Sequence, residues 1–161
     1  QELIREAGGI PLVERVGHSF IKRRMAEEDA VFAGEVSGHY YFKDFFYADS
    51  GILPSLMVLE MLSKNEASLS DLIKPLEEEY YISGEINTRI TGDAQIKMEQ
   101  LAEIFGHGEV EWLDGVSVTF EDWHFNVRPS NTEPLLRLNL EAKSKALMEE
   151  KRDQVLEIIR S

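Results

Sequence analysis

The chain has 161 residues, a formal net charge of −13 and no cysteine. The acidic balance argues against DNA, RNA and anionic membrane surfaces as partners, because binding to these depends on clustered Lys and Arg side chains. The absence of cysteine excludes disulfides and thiolate metal sites, which suits a cytoplasmic protein. With 43% apolar residues, and without the roughly 20-residue apolar run that spans a bilayer, the sequence predicts a soluble chain of one or two domains.

The first half of the chain alternates helical and β-prone segments. Gln1 to Gly8 is typical of the end of a helix already under way, so we interpret the start at Gln1 as a cut inside a larger protein. The next segments are a β-like run at 10–13, a basic amphipathic helix at 20–25, a buried strand at 30–33, a glycine-bracketed loop at 34–39 and an aromatic β-prone stretch at 40–46. This alternation predicts part of an α/β domain with a mixed sheet.

Two further helices are predicted before a change in composition. The segment 52–62 is apolar nearly all round, which indicates a buried helix. Ser68-Leu69-Ser70-Asp71 is typical of a helix cap, for a short helix that ends near Pro75. Because Pro75 is followed by three glutamates, we place a domain boundary there, which gives domains at 1–75 and 76–161.

The second half is predicted as a small α+β domain. Its elements are a strand at 80–90, a helix capped near Asp93, three β segments at 116–120, 123–127 and 135–142, and a last helix at 144–159. Asp114-Gly115 is a strong hairpin turn. Successive strands flanked by two helices predict an antiparallel sheet with both helices on one face, a TBP-like arrangement.

The segment Arg128-Pro129-Ser130-Asn131-Thr132-Glu133-Pro134 carries the chemistry of a phosphate site. A guanidinium matches phosphate oxygens bidentately, and Ser130, Asn131 and Thr132 add neutral donors. Because the chain as a whole is acidic, any site for an anion must be formed by a local group of such side chains. The alternative is a surface turn whose Asn and Ser side chains bond their own backbone.

A second candidate is the loop Gly34-Glu35-Val36-Ser37-Gly38-His39. Glu35, Ser37 and His39 alternate, so in an extended loop they would share one side and could hold vicinal sugar hydroxyls. A catalytic triad is disfavoured, since triad members usually come from distant segments. One His and one Glu are also a thin metal site, and the remaining alternative is a polar β-turn.

The two loops together resemble the sugar-binding and phosphate-binding loops of the α-D-phosphohexomutase superfamily. Val16-Gly17-His18-Ser19-Phe20-Ile21-Lys22 resembles the segment that leads to the ligand surface of its third domain. The chain is most similar to the phosphomannomutase/phosphoglucomutase branch, with Val36 in place of the usual Met. Asn131 argues against the phosphoglucosamine branch, which usually has Gly there. The likeness covers most of domain 3 and all of domain 4.

The resemblance implies a role for each matched residue. Glu35 and Ser37 would hold sugar hydroxyls, His39 would support that loop or reach the sugar, and His18 would contact ligand near the reacting end. The side chains that would hold the phosphate not being transferred are Arg128, Ser130, Asn131 and Thr132. No catalytic residue and no metal ligand is expected in this chain.

The parent enzyme implied by this resemblance is an intramolecular phosphotransferase. It interconverts hexose 1-phosphate and 6-phosphate, of mannose or glucose, through a bisphosphorylated intermediate. Its phosphoserine and its Mg²⁺ belong to N-terminal domains, and neither corresponding loop is found in this sequence. The chain alone is therefore expected to be inactive. The alternatives are a non-catalytic phosphosugar-binding module and an α+β interaction domain whose loops are incidental.

Overall fold

The computed structural model describes residues 1–65, 67–130 and 133–161. The chain divides into two compact units, residues 1–66 and 67–161, each with its own sheet. The two sheets pair their strands antiparallel. The predicted class, helices combined with a small sheet in each half, is confirmed. Among the helices that the structure describes, none is long and apolar enough to cross a membrane.

The first unit builds a three-stranded sheet beside three α-helices. Its elements are α1 (Glu2–Glu6), α2 (His18–Glu27), β1 (Phe32–Gly34), β2 (Tyr40–Phe42), a 3₁₀ turn (Lys43–Phe45), β3 (Ala48–Asp49) and α3 (Ile52–Lys64). The strands follow one another in the order β1-β2-β3, so the parallel pairing of a mixed sheet is not among the described strands. A small core of Ile21, Met25 and Tyr41 joins α2 to β2.

Three predictions for this unit are wrong. The strand predicted to be buried at 30–33 is β1, which has no buried residue, and Val31 and Phe32 are 73% and 51% exposed. Residues 10–13 have no regular secondary structure and are mostly exposed. Helix α3 is present, but none of its residues is buried, and Leu56 and Leu59 are 56% and 59% exposed. A helix that is apolar all round is buried only when other elements cover each side. Within the described part of its own unit, nothing covers these two side chains.

The second unit places two helices on one face of a six-stranded sheet. Its elements are α4 (Leu69–Glu79), β4 (Tyr81–Ile82), β5 (Ile86–Arg89), α5 (Ala94–Ile104), β6 (Glu109–Glu111), β7 (Val116–Thr119), β8 (Trp123–Pro129), β9 (Leu135–Ala142) and α6 (Lys145–Arg160). The strand order is β4-β9-β8-β7-β6, and β5 also pairs with β9. Thus β9 pairs with three strands.

The core of the second unit follows from the period-2 alternation of its strands. Alternate residues of β7, β8 and β9 are fully buried and meet the inner sides of α5 and α6: the largest of these strand residues are Val116, Val118, Phe125, Val127, Leu136 and Leu138. The intervening residues, among them His124, Asn126, Arg128, Arg137 and Asn139, therefore lie on the opposite, polar face of the sheet. The predicted arrangement of both helices on one face is confirmed.

Helix α4 corrects the prediction of a short helix ending at Pro75. The predicted cap is present, since the backbone N–H of Asp71 donates to Ser68 Oγ at 3.3 Å and that of Ser68 donates to Asp71 Oδ2 at 2.9 Å. The helix nevertheless continues through Pro75 to Glu79. A proline inside a helix removes one backbone hydrogen bond, and in α4 the residues on both sides of Pro75 remain helical. The predicted domain boundary at 75 stays a prediction, and the compact units divide at 66 and 67.

The predicted strand at 80–90 is two strands. It is interrupted at Gly84, whose φ of +69° lies in the left-handed region. The backbone therefore bends between β4 and β5. Both pieces still pair with β9, and Glu85 lies in the break between them.

Candidate functional site

The first candidate loop is a tight turn between β1 and β2. The N–H of Gly38 donates to the carbonyl of Glu35, and the N–H of Glu35 donates to the carbonyl of His39, each at 2.9 Å. Gly38 has a φ of +84°, a conformation that glycine adopts without strain. The segment is therefore a turn, and the extended form in which Glu35, Ser37 and His39 would share one side is not the one observed. Closure of the β1–β2 hairpin at Gly34 and Tyr40 leaves room only for a turn.

His39 is held from the neighbouring strand. Its Nδ1 lies 2.7 Å from Asp49 Oδ2, and Asp49 Oδ1 accepts a hydrogen bond from the N–H of Tyr40 at 3.2 Å. The hydrogen bond and the charge of Asp49 raise the pKa of His39, and the same hydrogen bond lowers the pKa of Asp49. The imidazole is thus oriented while its other nitrogen stays free of this pair, with the side chain 53% exposed.

Glu35 is held by a hydrogen bond from the buried Tyr41 of β2. The Tyr41 hydroxyl donates to Glu35 Oε1 at 2.6 Å, and Tyr41 itself is 1% exposed. Burial, followed by the hydrogen bond to Glu35, raises the pKa of Tyr41, so the phenol remains a donor at neutral pH. One carboxylate oxygen of Glu35 is fixed by the core, and the side chain is half-buried.

Ser37 and His18 complete the predicted sugar-side residues. Ser37 is exposed at the tip of the turn, and His18 is the exposed first residue of α2. His18 and Lys22 are four residues apart and therefore share a face of α2. Lys22 Nζ lies 5.7 Å from the centre of the Tyr41 ring. The structure thus turns this face of α2 towards the strand that supports Glu35.

The second candidate loop connects β8 to β9. The N–H of Ser130 donates to the carbonyl of Leu135 at 2.9 Å, which closes the hairpin. Arg128 lies in β8, two residues before Ser130, on the polar face of the sheet. The predicted phosphate ligands Asn131 and Thr132 lie outside the described residues.

Arg128 belongs to a cluster of three charged side chains. It lies directly opposite Arg137 of β9. Glu85 lies between the two arginines, with its Oε2 3.3 Å from Arg128 Nη2 and its Oε1 3.1 Å from Arg137 Nη1. The three side chains are 20%, 30% and 32% exposed for Arg128, Arg137 and Glu85, respectively. Because two facing cations repel each other, the carboxylate between them stabilises the pairing. We call these three residues the Arg–Glu–Arg cluster.

The sequence interpretation missed the residues that support each loop. Arg137 could have been found from the hairpin register: with Ser130 and Leu135 as the closing pair, residues equidistant from that pair face each other, so 128 lies opposite 137. Asp49 and Glu85 could not be found in this way. Their positions depend on the β2–β3 pairing and on the break between β4 and β5, neither of which has a clear sequence signal.

Metal binding has no candidate in the part of the chain that the structure describes. No group of three or more His, Asp or Glu side chains lies close enough together to hold an ion. The paired His39 and Asp49 supply only two such groups.

Two family models match the chain. The phosphoglucomutase/phosphomannomutase alpha/beta/alpha domain III matches residues 1–80, and the C-terminal domain of the same family matches residues 85–158. Both candidate loops fall inside these matches, one in each.

Relatives and a solved structure agree with the family models. The chain is 43% identical over 155 residues to a phosphohexose mutase of Xanthomonas campestris, covering 95% of this chain and 34% of that protein. It is 43% identical over 163 residues to a phosphomannomutase of Vibrio cholerae, covering 99% and 35%. It is 46% identical over 158 residues to a phosphomannomutase of Methanocaldococcus jannaschii, covering 98% and 35%. A crystal structure of a phosphoglucomutase/phosphomannomutase family protein from Burkholderia thailandensis aligns with a TM-score of 0.80 and 33% identity, over 98% of this chain and 34% of that one. The chain thus spans about a third of the length of these relatives.

Proposed function

Because the chain belongs to the phosphoglucomutase/phosphomannomutase family, we propose that it is the substrate-recognition part of a phosphohexomutase. In this role the turn at Glu35 to His39 holds the hexose, and the loop at Arg128 to Thr132 holds the phosphate that is not being transferred. The observation that carries the proposal is the placement of Arg128. A guanidinium is kept partly exposed by its strand at the mouth of a hairpin whose loop is rich in hydroxyl and amide donors.

The phosphate end depends on charge and fixed geometry. Arg128 uses one nitrogen on Glu85, while a guanidinium has five N–H donors. The remaining donors are available for a bidentate contact with phosphate oxygens. The N–H of Ser130 is used by the hairpin, so Ser130 would contribute its hydroxyl.

The sugar end depends on fixed hydrogen-bonding groups. Glu35 has one oxygen tied to Tyr41, which leaves the other to accept from a sugar hydroxyl. His39 is oriented by Asp49 and can donate or accept through Nε2. Ser37 presents a hydroxyl at the tip of the turn, and His18 adds an imidazole from α2. Neutral and anionic acceptors of this kind suit hydroxyl groups, which donate as well as accept.

The reaction itself is assigned to the whole parent protein. We propose that it moves a phosphoryl group between the 1- and 6-positions of mannose or glucose. Binding energy from the remote phosphate would orient the reacting end. The family is generally Mg²⁺-dependent, and Mg²⁺ would neutralise phosphate charge during transfer. We place its ligands outside this chain, together with the missing N-terminal domains, and we expect the chain alone to lack mutase activity.

Calorimetric titration of the chain with glucose 1-phosphate and mannose 1-phosphate tests the proposal. Arg128→Ala should weaken the binding of both sugars by at least tenfold, since a charge-assisted contact contributes roughly 1.5–3 kcal/mol. Arg152→Ala on α6 is the matched control, because it removes the same charge from the helical face, and it should bind like the wild type. Equal affinities for wild type and Arg128→Ala would overturn the phosphate role.

The sugar role is separated from the phosphate role by inorganic phosphate. Glu35→Ala should weaken the binding of hexose phosphate and leave the binding of inorganic phosphate unchanged. In the full-length parent enzyme the same variant should lower mutase turnover. If Glu35→Ala leaves both hexose phosphate affinity and turnover intact, the assignment of the turn is wrong. Mutase activity of the isolated chain would refute the proposal that this chain recognises the substrate while the other domains supply phosphoryl transfer.

A further inference from the structure

The Arg–Glu–Arg cluster has a carboxylate where an anion site is proposed, and this needs a physical explanation. Glu85 enters from the break between β4 and β5, outside the hairpin that carries the arginines. It contacts both guanidinium groups, at 3.3 Å and 3.1 Å. Asn87 Nδ2 lies 3.4 Å from Glu85 Oε1, and Asn87 is directly opposite Arg137 in the β5–β9 pairing. The carboxylate is therefore supported by its own strand as well as by the cations.

We propose that Glu85 is an internal counterion that sets the charge, and so the affinity, of the phosphate site. This inference rests on the proposed function of Arg128. Without a bound anion, the carboxylate neutralises one of two cations that face each other on adjacent strands. When phosphate binds, the same carboxylate remains close by and repels it. The cluster has a net charge of +1 with Glu85 and +2 without it.

Whether removal of Glu85 strengthens or weakens phosphate binding depends on two opposing contributions. Removal of Glu85 takes away a repulsion between the carboxylate and a phosphate dianion at one contact distance from Arg128. It also takes away a contact that positions Arg128. Positioning is largely retained, because the β8–β9 pairing fixes the backbone of both arginines and a glutamine keeps one acceptor oxygen at the same place. The electrostatic contribution therefore dominates, and the site should bind phosphate more tightly once Glu85 is neutral.

The functional consequence is weaker and more easily reversed binding of the phosphate. A site with a net charge of +2 would retain a phosphorylated sugar for longer, since most differences in affinity between related complexes lie in the dissociation rate. A charge-setting carboxylate is useful where a phosphate must be released in each reaction cycle. Glu85 thereby acts on affinity through its charge and has no contact with the reacting atoms.

The test is calorimetric titration of Glu85→Gln with inorganic phosphate and with glucose 1-phosphate at low ionic strength. Its affinity for both should rise by roughly five- to tenfold, as expected for the loss of one like charge close to a partly exposed site. The rise should shrink when salt is added, because salt screens exposed charges. Glu111→Gln on β6 is the matched control, since it changes the net charge of the chain by the same amount. It should leave the affinity unchanged.

The results separate this inference from the proposed function. If wild type binds phosphate, Arg128→Ala weakens it and Glu85→Gln does not tighten it, the role of Glu85 is overturned and that of Arg128 stands. If Arg128→Ala binds as well as the wild type, both are overturned. Where Glu85→Gln alone does not fold, Glu85→Gln combined with Arg137→Gln has the wild-type cluster charge and should bind more tightly than Arg137→Gln. Equal affinity of these two variants would also overturn the role of Glu85.

Discussion

The two candidate loops are supported in different ways. The turn at 35–39 lies on a three-stranded sheet with a core of three buried residues, and two of its candidate side chains, His39 and Glu35, are fixed by hydrogen bonds with Asp49 and Tyr41, respectively. The loop after Arg128 extends from a six-stranded sheet in which alternate strand residues are buried under two helices. The first site depends on single contacts, and the second depends on a cooperative core. The same kind of substitution should therefore have different consequences in the two units.

The largest effect is expected from the core beneath the Arg–Glu–Arg cluster. Leu138→Ala should lower the free energy of unfolding by about 3 kcal/mol, because a fully buried leucine is replaced by a cavity. Urea unfolding followed by tryptophan fluorescence measures it, since Trp112 and Trp123 both lie in the second unit. Leu113→Ala is the control, with a side chain that is 47% exposed. If Leu138→Ala is as stable as Leu113→Ala, the second unit does not depend on this core.

Gly38, in the turn between β1 and β2, and Gly115, in the turn between β6 and β7, compare the packing of one hairpin from each unit. An alanine Cβ at Gly115 would lie 2.7 Å from Arg128 Cα, and the φ of +75° adds strain. At Gly38 the φ is +84°, but nothing lies within 4 Å of the added Cβ. We expect Gly115→Ala to destabilise its unit by about 2–3 kcal/mol through overpacking. Gly38→Ala should cost about 1 kcal/mol, from the left-handed conformation alone.

Hydrogen exchange resolved for residues 32–49 and 109–129 would measure both glycine variants. Gly115→Ala should also weaken phosphate binding, because the clash involves the backbone of Arg128. Gly38→Ala should leave phosphate binding unchanged. Equal destabilisation by the two substitutions would contradict the difference in packing between the hairpins.

A smaller effect is expected from the support of Glu35. Tyr41→Phe removes the hydroxyl that donates to Glu35 Oε1 and should destabilise the first unit by about 1 kcal/mol, the usual net contribution of one hydrogen bond. Tyr40→Phe is the matched control, because the Tyr40 ring stacks on Phe32 and keeps that contact without its hydroxyl. Faster hydrogen exchange at residues 32–42 in Tyr41→Phe, but not in Tyr40→Phe, is the expected result. Identical exchange in both variants would show that Glu35 is not held from the core.

The smallest effect concerns pH. The raised pKa of His39 and the lowered pKa of Asp49 mean that the pair contributes stability where both groups are charged. That contribution is fully present below the ordinary His pKa of about 6.5 and is lost as the pH rises through the higher pKa of folded His39. At the acid end it is lost as the pH falls through the lowered pKa of Asp49.

An NMR titration of the His39 imidazole checks this expectation. Asp49→Asn should move the pKa of His39 down towards its ordinary value. Asp44→Asn, which removes the same charge from an exposed position in the same unit, should move it less. An unchanged titration of His39 in Asp49→Asn would refute the pairing.

How far the sequence could predict the structure depended on whether local signals agreed with the tertiary context. Asp93 caps α5 as expected, because cap chemistry acts within one turn, and the last helix begins where it was predicted, with Ser144 as its cap. The β segment predicted at 135–142 is β9, a second element whose bounds follow from local sequence. Pro75 and α3 misled, because proline marks a helix end only as a tendency and an apolar helix is buried only where something covers it. The break at Gly84 needed the pairing of two short strands with one partner.

For the candidate sites, the sequence identified the candidate ligand-binding residues and missed the residues that hold them in place. Arg128, Glu35 and His39 stand in segments with recognisable chemistry. Their partners Glu85, Tyr41 and Asp49 are brought to them by strand pairing over separations of 43, 6 and 10 residues, respectively. A glutamate before a strand or an aspartate in a two-residue strand has no local feature that marks it as a support.

The pairing of β9 with three strands has a consequence for assembly. Because side chains alternate along a strand, a slip of one residue would turn Leu138 to the polar face and Arg137 into the core. The same slip would break the pairing with β4, β5 and β8 at once. A molecule with an assembled core is therefore also a molecule with its two arginines aligned. In a preparation that unfolds cooperatively, the fraction of molecules with a correctly formed Arg–Glu–Arg cluster should therefore equal the fraction of folded molecules.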